Sequence, residues 1–327
     1  MAGELRLGTR GSHLARWQAD AVAARLREAG GPACRVVVIR TTGDRLQEAP
    51  LSEVGGKRLF VKEIEDALLK NEIDIAVHSS KDMPVLLPDG LAIGAVLARE
   101  DPFDALVMPL NARLDSDASF DGVLRVLGST PKLGTSSVRR VAQLTRLLPD
   151  ARFVPIRGNL DTRLRKLDEG QYDAIVLAAA GLRRLGMAGR ISARLPATAC
   201  VPAPGQGIVA VEIRKTDKRA ANAVHLIDDI LAHAALDAER AVVQALGGGC
   251  QTPVGALALP APEGSLELTA VVVSLDGSRA LFATGRGKRE DAASLGGRVG
   301  AQLLADGAGA ILADAQRIDS AVKGIQP

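Results

Sequence analysis

Over the first two-thirds of the chain, strand-length apolar runs ending on polar turns alternate with segments of helical spacing, and this alternation restricts the fold most. Residues 5–8 read as a strand and 14–29 as a helix with Ser12 at its N-cap. A β-branched strand at 35–41, a helix at 60–71 and a strand at 73–77 follow, the last running into His78-Ser79-Ser80-Lys81-Asp82. Strand–helix–strand succession needs crossover connections, so the strands should lie mainly parallel in a doubly wound α/β sheet. A weaker echo comes later: Leu133-Gly134-Thr135 repeats Leu7-Gly8-Thr9, and Asp173-Ala174-Ile175-Val176 repeats Asp74-Ile75-Ala76-Val77. Two similar lobes are implied. The breakers Asp101-Pro102 and Pro202-Ala203-Pro204-Gly205 suit crossings between them, with a return to the first lobe through 208–213. Such a pair encloses a ligand cleft at the carboxyl ends of its strands.

Beyond about residue 230 the pattern changes to a helix at 232–246, strands at 254–259, 266–274 and 280–284, and an Ala-rich helix near 291–305. That order reads as a small α+β domain. The expected division is residues 1–100 with 206–228 for the first lobe, 101–205 for the second and 229–327 for the third domain.

No apolar run approaches the roughly 20 residues that span a bilayer. Met1-Ala2-Gly3-Glu4-Leu5-Arg6 shows no basic segment followed by an apolar one, so a cytoplasmic protein with no membrane partner is expected. Three scattered cysteines make neither a disulfide framework nor a zinc site, and His13, His225 and His233 lack ligand spacing, so no metal is expected. A net charge of +3 and 2% aromatic residues argue against nucleic acid as a partner. Arg nevertheless outnumbers Lys by 31 to 10, and Arg is the side chain suited to bidentate carboxylate or phosphate recognition.

The arginines gather at strand-to-helix turns. Thr9-Arg10-Gly11-Ser12 opens the first helix and Thr135-Ser136-Ser137-Val138-Arg139-Arg140 its counterpart, while Arg157-Gly158-Asn159, Arg163 and Arg183-Arg184 mark later turns. Any one of them would ordinarily be a solvated helix-end charge. Five or six at the ligand edge of two facing sheets imply an anion with several carboxylates or phosphates. Gly55-Gly56-Lys57 lacks the spacing of a nucleotide loop, and Arg58 stands where Ser or Thr is needed, so a lid bearing a cation is the better reading. Asp82, before Met83-Pro84, reads either as a turn former or as a carboxylate that stabilises a developing cation. Cys250 follows Gly247-Gly248-Gly249, which points to an exposed thiol used for covalent attachment or nucleophilic catalysis; with no Cys/His pairing, attachment is preferred. Cys34 reads as structural. Cys200 stays undecided, with an inert role favoured.

These segments together resemble the porphobilinogen deaminase family along nearly the whole chain. The resemblance rests on Leu7-Gly8-Thr9-Arg10-Gly11-Ser12, Gly55-Gly56-Lys57 with Leu59-Phe60, DIAVHSSKDMP at 74–84 and Arg99-Glu100-Asp101-Pro102. It continues through GTSSVRR at 134–140, Arg157-Gly158-Asn159, GLRRLG at 181–186, Pro204-Gly205-Gln206-Gly207 and GCQTP at 249–253. It implies two lobes like type II periplasmic binding proteins plus a third domain, in a monomer. The implied activity joins four porphobilinogens head to tail into linear hydroxymethylbilane, with release of ammonia, in tetrapyrrole (haem) biosynthesis. The implied cofactor is a dipyrromethane thioether-linked to Cys250 and held by Lys81, Ser137, Arg139 and Arg140. Asp82 takes the catalytic position, and Arg10, Ser12, Lys57, Arg157, Arg163, Arg184 and Gln206 the substrate-binding ones. His13, Arg58 and Glu53 depart from the usual pattern, the last two on the loop that carries Lys57. The competing reading is a non-enzymatic bilobed receptor for a small polyanion, which leaves residues 247–250 without a role.

Overall fold

The computed structural model describes residues 4–42, 61–112, 119–248 and 252–324. The first lobe is built on β1 (Leu5–Thr9), β2 (Cys34–Val38), β3 (Ile75–Ser79) and β4 (Leu91–Val96). The second uses β5 (Asp104–Val107), β6 (Lys132–Gly134), β7 (Arg152–Val154), β8 (Ala174–Ala178) and β9 (Ala193–Arg194). β10 (Val209–Arg214) then returns to the first. The sheet orders are β2-β1-β3-β10-β4 and β7-β6-β8-β5-β9. In each, the strand that arrives from the other lobe, β10 or β5, runs antiparallel to its two neighbours. Every other strand reaches its place by a crossover and keeps one direction, so both sheets are mainly parallel, as expected, with one antiparallel strand each.

The weak echo in the sequence is a structural repeat. Leu7 pairs with Ile75 in the first lobe, and Leu133 with Ala174 in the second, which is the same register of the two echoed segments. Each register is pinned by the Asp that opens the second segment. Asp74 accepts the backbone N–H of Arg6 at 2.8 Å, and Asp173 that of Lys132 at 2.7 Å. The helix His13–Glu28 follows β1, with Ser12 capping it by accepting the N–H of Ala15. Its counterpart, Val138–Thr145, is capped by Ser137, which accepts the N–H of Arg140. Both helices thus direct their N-termini to the carboxyl edge of their own sheet, where the lobes face each other.

The third unit is the antiparallel meander β11 (Val254–Ala261), β12 (Ser265–Val273) and β13 (Ala280–Lys288), covered by helices Ile230–Ala245 and Ala292–Ala305. These helices lie so close that a Cβ on Gly296 would sit 2.1 Å from the carbonyl oxygen of Ala238. Alternate residues of β11 and β12 join Val242, Leu295, Val299 and Leu303 in one apolar core. Helix Ile230–Ala245 is thereby fixed to the meander on one side. On its other side it packs on the first lobe, where Ala232 and Leu236 meet Met83, Val96 and Ala210. No helix among the described residues is long and apolar enough to cross a membrane.

Candidate active site

Where the two lobes and the third domain meet lies a cavity of about 660 Å³. Arg10, Ser12, Lys81 and Asp82 face it from the first lobe, and Ser137, Arg139, Arg140, Arg157, Arg163 and Arg184 from the second. Every described residue of the expected site lines this one cavity, Gln206 included. Cys250 and Lys57 lie outside the described residues, as do Glu53 and Arg58. Gly248 and Thr252, two residues to either side of Cys250, both line the cavity.

Local structure explains the convergence. β3 ends at Ser79 and turns at once through a one-turn 3-10 helix, Ser80–Asp82, closed by the N–H of Met83 on the carbonyl of Ser80. The tight turn projects Lys81 and Asp82 past the sheet edge. Arg240, on the helix leading toward Cys250, donates to the carbonyls of Pro84 at 2.9 Å and Val85 at 2.6 Å, tying the end of this turn to the third domain. Gln18 of the first helix is buried against Ser79, their side chains 2.8 Å apart. Across the cavity, Arg163 turns its Nε back to the carbonyl of Gly158 at 2.8 Å. Arg184 donates to the carbonyl of Gly207 at 2.6 Å and stacks over the ring of Trp17, so it joins the second lobe to the first.

So many cations in a partly enclosed space change one another's chemistry. Lys81 comes down to about 8, first through burial and then through the charges of Arg140 and Arg139, while the negative charges of Asp82 and Asp104 work against the fall. Arg163 comes down to about 10 through burial and the nearby charges of Arg140 and Arg157. Arg184 falls to about 10 as well, through burial. All three departures disfavour the charged forms in this cleft and are relieved by an anionic ligand.

Some residues of the expected set do more, or other, than face a ligand. His78 is in the lining of the cavity, but its imidazole is buried 3.2 Å from Glu212 of β10, on the face of β3 opposite that of Val77 and Ser79. Gln206 spends its amide nitrogen on the carbonyl of Pro102 at 2.7 Å and on Asp104 at 2.9 Å. Cys200 is buried: its thiol, pushed up to about 12 first by burial, contacts Asp104 and Arg139. Sequence reasoning did not single out Asp104, Arg240 or Gln18. Asp104 follows the quoted Arg99-Glu100-Asp101-Pro102 by two residues, and a lone Asp at a strand start carries no local signal.

Replacing Arg157 by Leu is expected to impair binding of the acidic ligand by about 1.5–3 kcal/mol, the cost of one charge-assisted contact. Arg139→Leu should cost at least as much, since it also strips a partner from buried Asp104. Arg35→Leu is the control: Arg35 pairs with Glu4 at 3.4 Å on the exposed edge strand β2. Titration of ligand into the three variants checks this, and equal damage from Arg35→Leu would contradict the placement of the cleft.

Comparison with known proteins gives matches along nearly the whole chain. The family model described as "Porphobilinogen deaminase, dipyromethane cofactor binding domain" matches residues 5–222, and "Porphobilinogen deaminase, C-terminal domain" matches 234–305. A porphobilinogen deaminase of Desulforudis audaxviator is 47% identical over 315 residues, covering 96% of this chain and 98% of the relative. That of Acidithiobacillus ferrooxidans is 46% identical over 316 residues, covering 96% and 99%. Among solved structures, the periplasmic VFT2 domain of Bordetella pertussis BvgS aligns with 68% of this chain and 86% of its own, at 16% identity and a TM-score of 0.40, too remote to add to the topology above.

Proposed function

The chain belongs to the porphobilinogen deaminase family, and from that premise we propose that its cleft joins porphobilinogen units head to tail into hydroxymethylbilane, releasing ammonia at each step. The observation that carries the residue assignment is the gathering of Asp82, Lys81 and the arginines of both lobes around one cavity, with Gly248 and Thr252 in its wall. Each porphobilinogen carries two carboxylates, so a growing chain needs many guanidiniums. A receptor for a small polyanion would use the same arginines but gives no reason for a cysteine that follows three glycines in the sequence.

The residues present fit a dipyrromethane on Cys250. Its carboxylates match Arg139, Arg140 and Lys81, and the hydroxyl of Ser137 stands at the same helix N-terminus. Arg139 Nε is buried and has no hydrogen-bond partner among the described residues. When bound, this group supplies the nucleophilic terminal pyrrole carbon on which elongation starts. Arg10, Ser12, Arg157, Arg163, Arg184 and Gln206 bind the incoming substrate, and Lys57, outside the described residues, is assigned to the same role. Loss of ammonia from the substrate's protonated aminomethyl group leaves an azafulvenium-like cation that keeps the methylene carbon. Asp82 holds the pyrrole N–H groups and offsets that charge, then assists proton loss at the attacked carbon. The three-part division at 1–100 with 206–228, 101–205 and 229–327, a cytoplasmic location, a monomeric state and the lack of a nucleic-acid partner belong to the same reading.

Intact mass tests it. Purified protein should exceed its chain mass by two linked pyrroles. Cys250→Ser should remove the increment, whereas Cys34→Ser and Cys200→Ser keep it. An increment that survives Cys250→Ser would sink the attachment and favour the receptor.

A further inference from the structure

Asp104 is the first residue of β5, the strand that arrives from the first lobe, and pairs with Ala178 at the cleft end of β8. Its carboxylate is fully buried and takes donors from three separate segments. Oδ1 accepts from Arg140 Nε at 3.0 Å, Arg140 Nη2 at 2.7 Å and Gln206 Nε2 at 2.9 Å. Oδ2 accepts from Arg139 Nη1 at 2.7 Å and faces the thiol of Cys200 at 3.4 Å. Burial alone would raise this carboxyl, but the charges and hydrogen bonds of Arg139 and Arg140 outweigh it and hold it well below the ordinary range.

Two adjacent residues on a helix point about 100° apart, and two guanidiniums brought together out of water repel. One carboxylate that spends a different oxygen on each reverses both tendencies. Further acceptors complete the clamp: Arg139 Nη1 also reaches the carbonyl of Val201 at 2.7 Å, and Arg140 Nη1 that of Val176 at 2.8 Å. Arg139 Nε is left over, buried and without a hydrogen-bond partner among the described residues, and both side chains line the cavity. We propose that Asp104 is the positioning residue of the cofactor site: it holds Arg139 and Arg140 in register for the carboxylates of the dipyrromethane and cancels one of their two charges. This inference rests on the cofactor reading above.

Asp104→Asn and Asp104→Glu test it, read by intact mass, thermal melting and the pH dependence of kcat/KM. Asp104→Asn is expected to fold and melt cooperatively, yet carry the mass increment on at least ten-fold fewer molecules. Asp104→Glu keeps the charge, displaced by one methylene, and should load to an intermediate extent. The pH profile separates positioning from mere structural support. Lys81, near 8, is faced by Asp82, Arg140, Asp104 and Arg139; it is protonated below that pH and loses its charge above. Removing the Asp104 charge while both arginines stay takes away an attraction for the Lys81 proton. The alkaline limb should therefore move to lower pH in Asp104→Asn and stay put in Asp104→Glu. Full loading of Asp104→Asn with an unmoved limb would overturn the proposal. Should that variant not fold, wild-type loading of Asp104→Glu overturns it, and reduced loading at an unchanged melting temperature supports it. A wild-type protein without the increment would instead tell against the cofactor reading itself.

Discussion

Asp82→Asn is expected to lower turnover by roughly 10²–10³ while leaving the fold, the Cys250-linked cofactor and the affinity for porphobilinogen nearly unchanged. Asp82 is placed by a 3-10 turn whose closing hydrogen bond runs between Met83 and Ser80, so the turn does not depend on the carboxylate. No hydrogen bond to the Asp82 side chain is made among the described residues, whereas a turn-forming Asp would accept a nearby backbone N–H. Its charge is instead felt by Lys81 and by Arg163 across the cavity. In the proposed function the arginines bind the substrate carboxylates, so the loss should fall on the cation that exists only near the transition state. Asp82→Glu keeps the charge but displaces it, and should retain more activity than Asn. The turn-former reading expects the reverse, with Asn nearly silent and Glu the worse replacement. Turnover and melting temperature of both variants separate the two, and a fully active Asp82→Asn enzyme would remove Asp82 from the mechanism.

What was legible in the sequence followed the reach of each signal. β1, the first helix and β3 read well because their apolar periods are local and their ends carry marked chemistry, such as Ser12 at the N-cap. The echo of 7–9 in 133–135 held because Asp74 and Asp173 each fix the same register from within the repeated segment. β7 and β9, of three and two residues, are too short for any period to show. The direction of β5 and β10 depends on which lobe the chain arrives from, which no window of sequence contains. The site was legible in the same unequal way. Arginines at strand-to-helix turns declare themselves by position, because a helix N-terminus at a sheet edge faces the ligand. Asp104 and Arg240 act through partners 35 or more residues distant, and nothing beside them in the chain announces it.

Glu239→Ala is expected to cost about 3–5 kcal/mol, as breaking a buried ion pair from one side does, and to lower the melting temperature by on the order of 10 °C. Glu239 is fully buried on helix Ile230–Ala245 and ties together three segments that sequence alone keeps far apart. Arg99, before the first crossing, donates to it from Nη1 at 2.6 Å and Nη2 at 3.2 Å. The N–H of Gly205, in the second crossing, donates at 2.6 Å, and that of Ala258 in β11 at 2.8 Å. Truncation leaves the Arg99 guanidinium uncompensated and two backbone donors without acceptors, and Arg99 keeps only the carbonyls of Gln206 and Ala258. Glu239→Gln preserves the volume and one acceptor oxygen but sets an NH2 against these donors, so its loss should be intermediate. An exposed ion pair would be worth no more than about 1 kcal/mol, and both variants would then melt close to wild type. Because the pair joins the crossings to the helix that leads toward Cys250, calorimetry should also show the third domain melting apart from the lobes in Glu239→Ala. A single transition at the wild-type temperature would mean that packing around Leu236 and Ala210, rather than this ion pair, holds the third domain to the cleft.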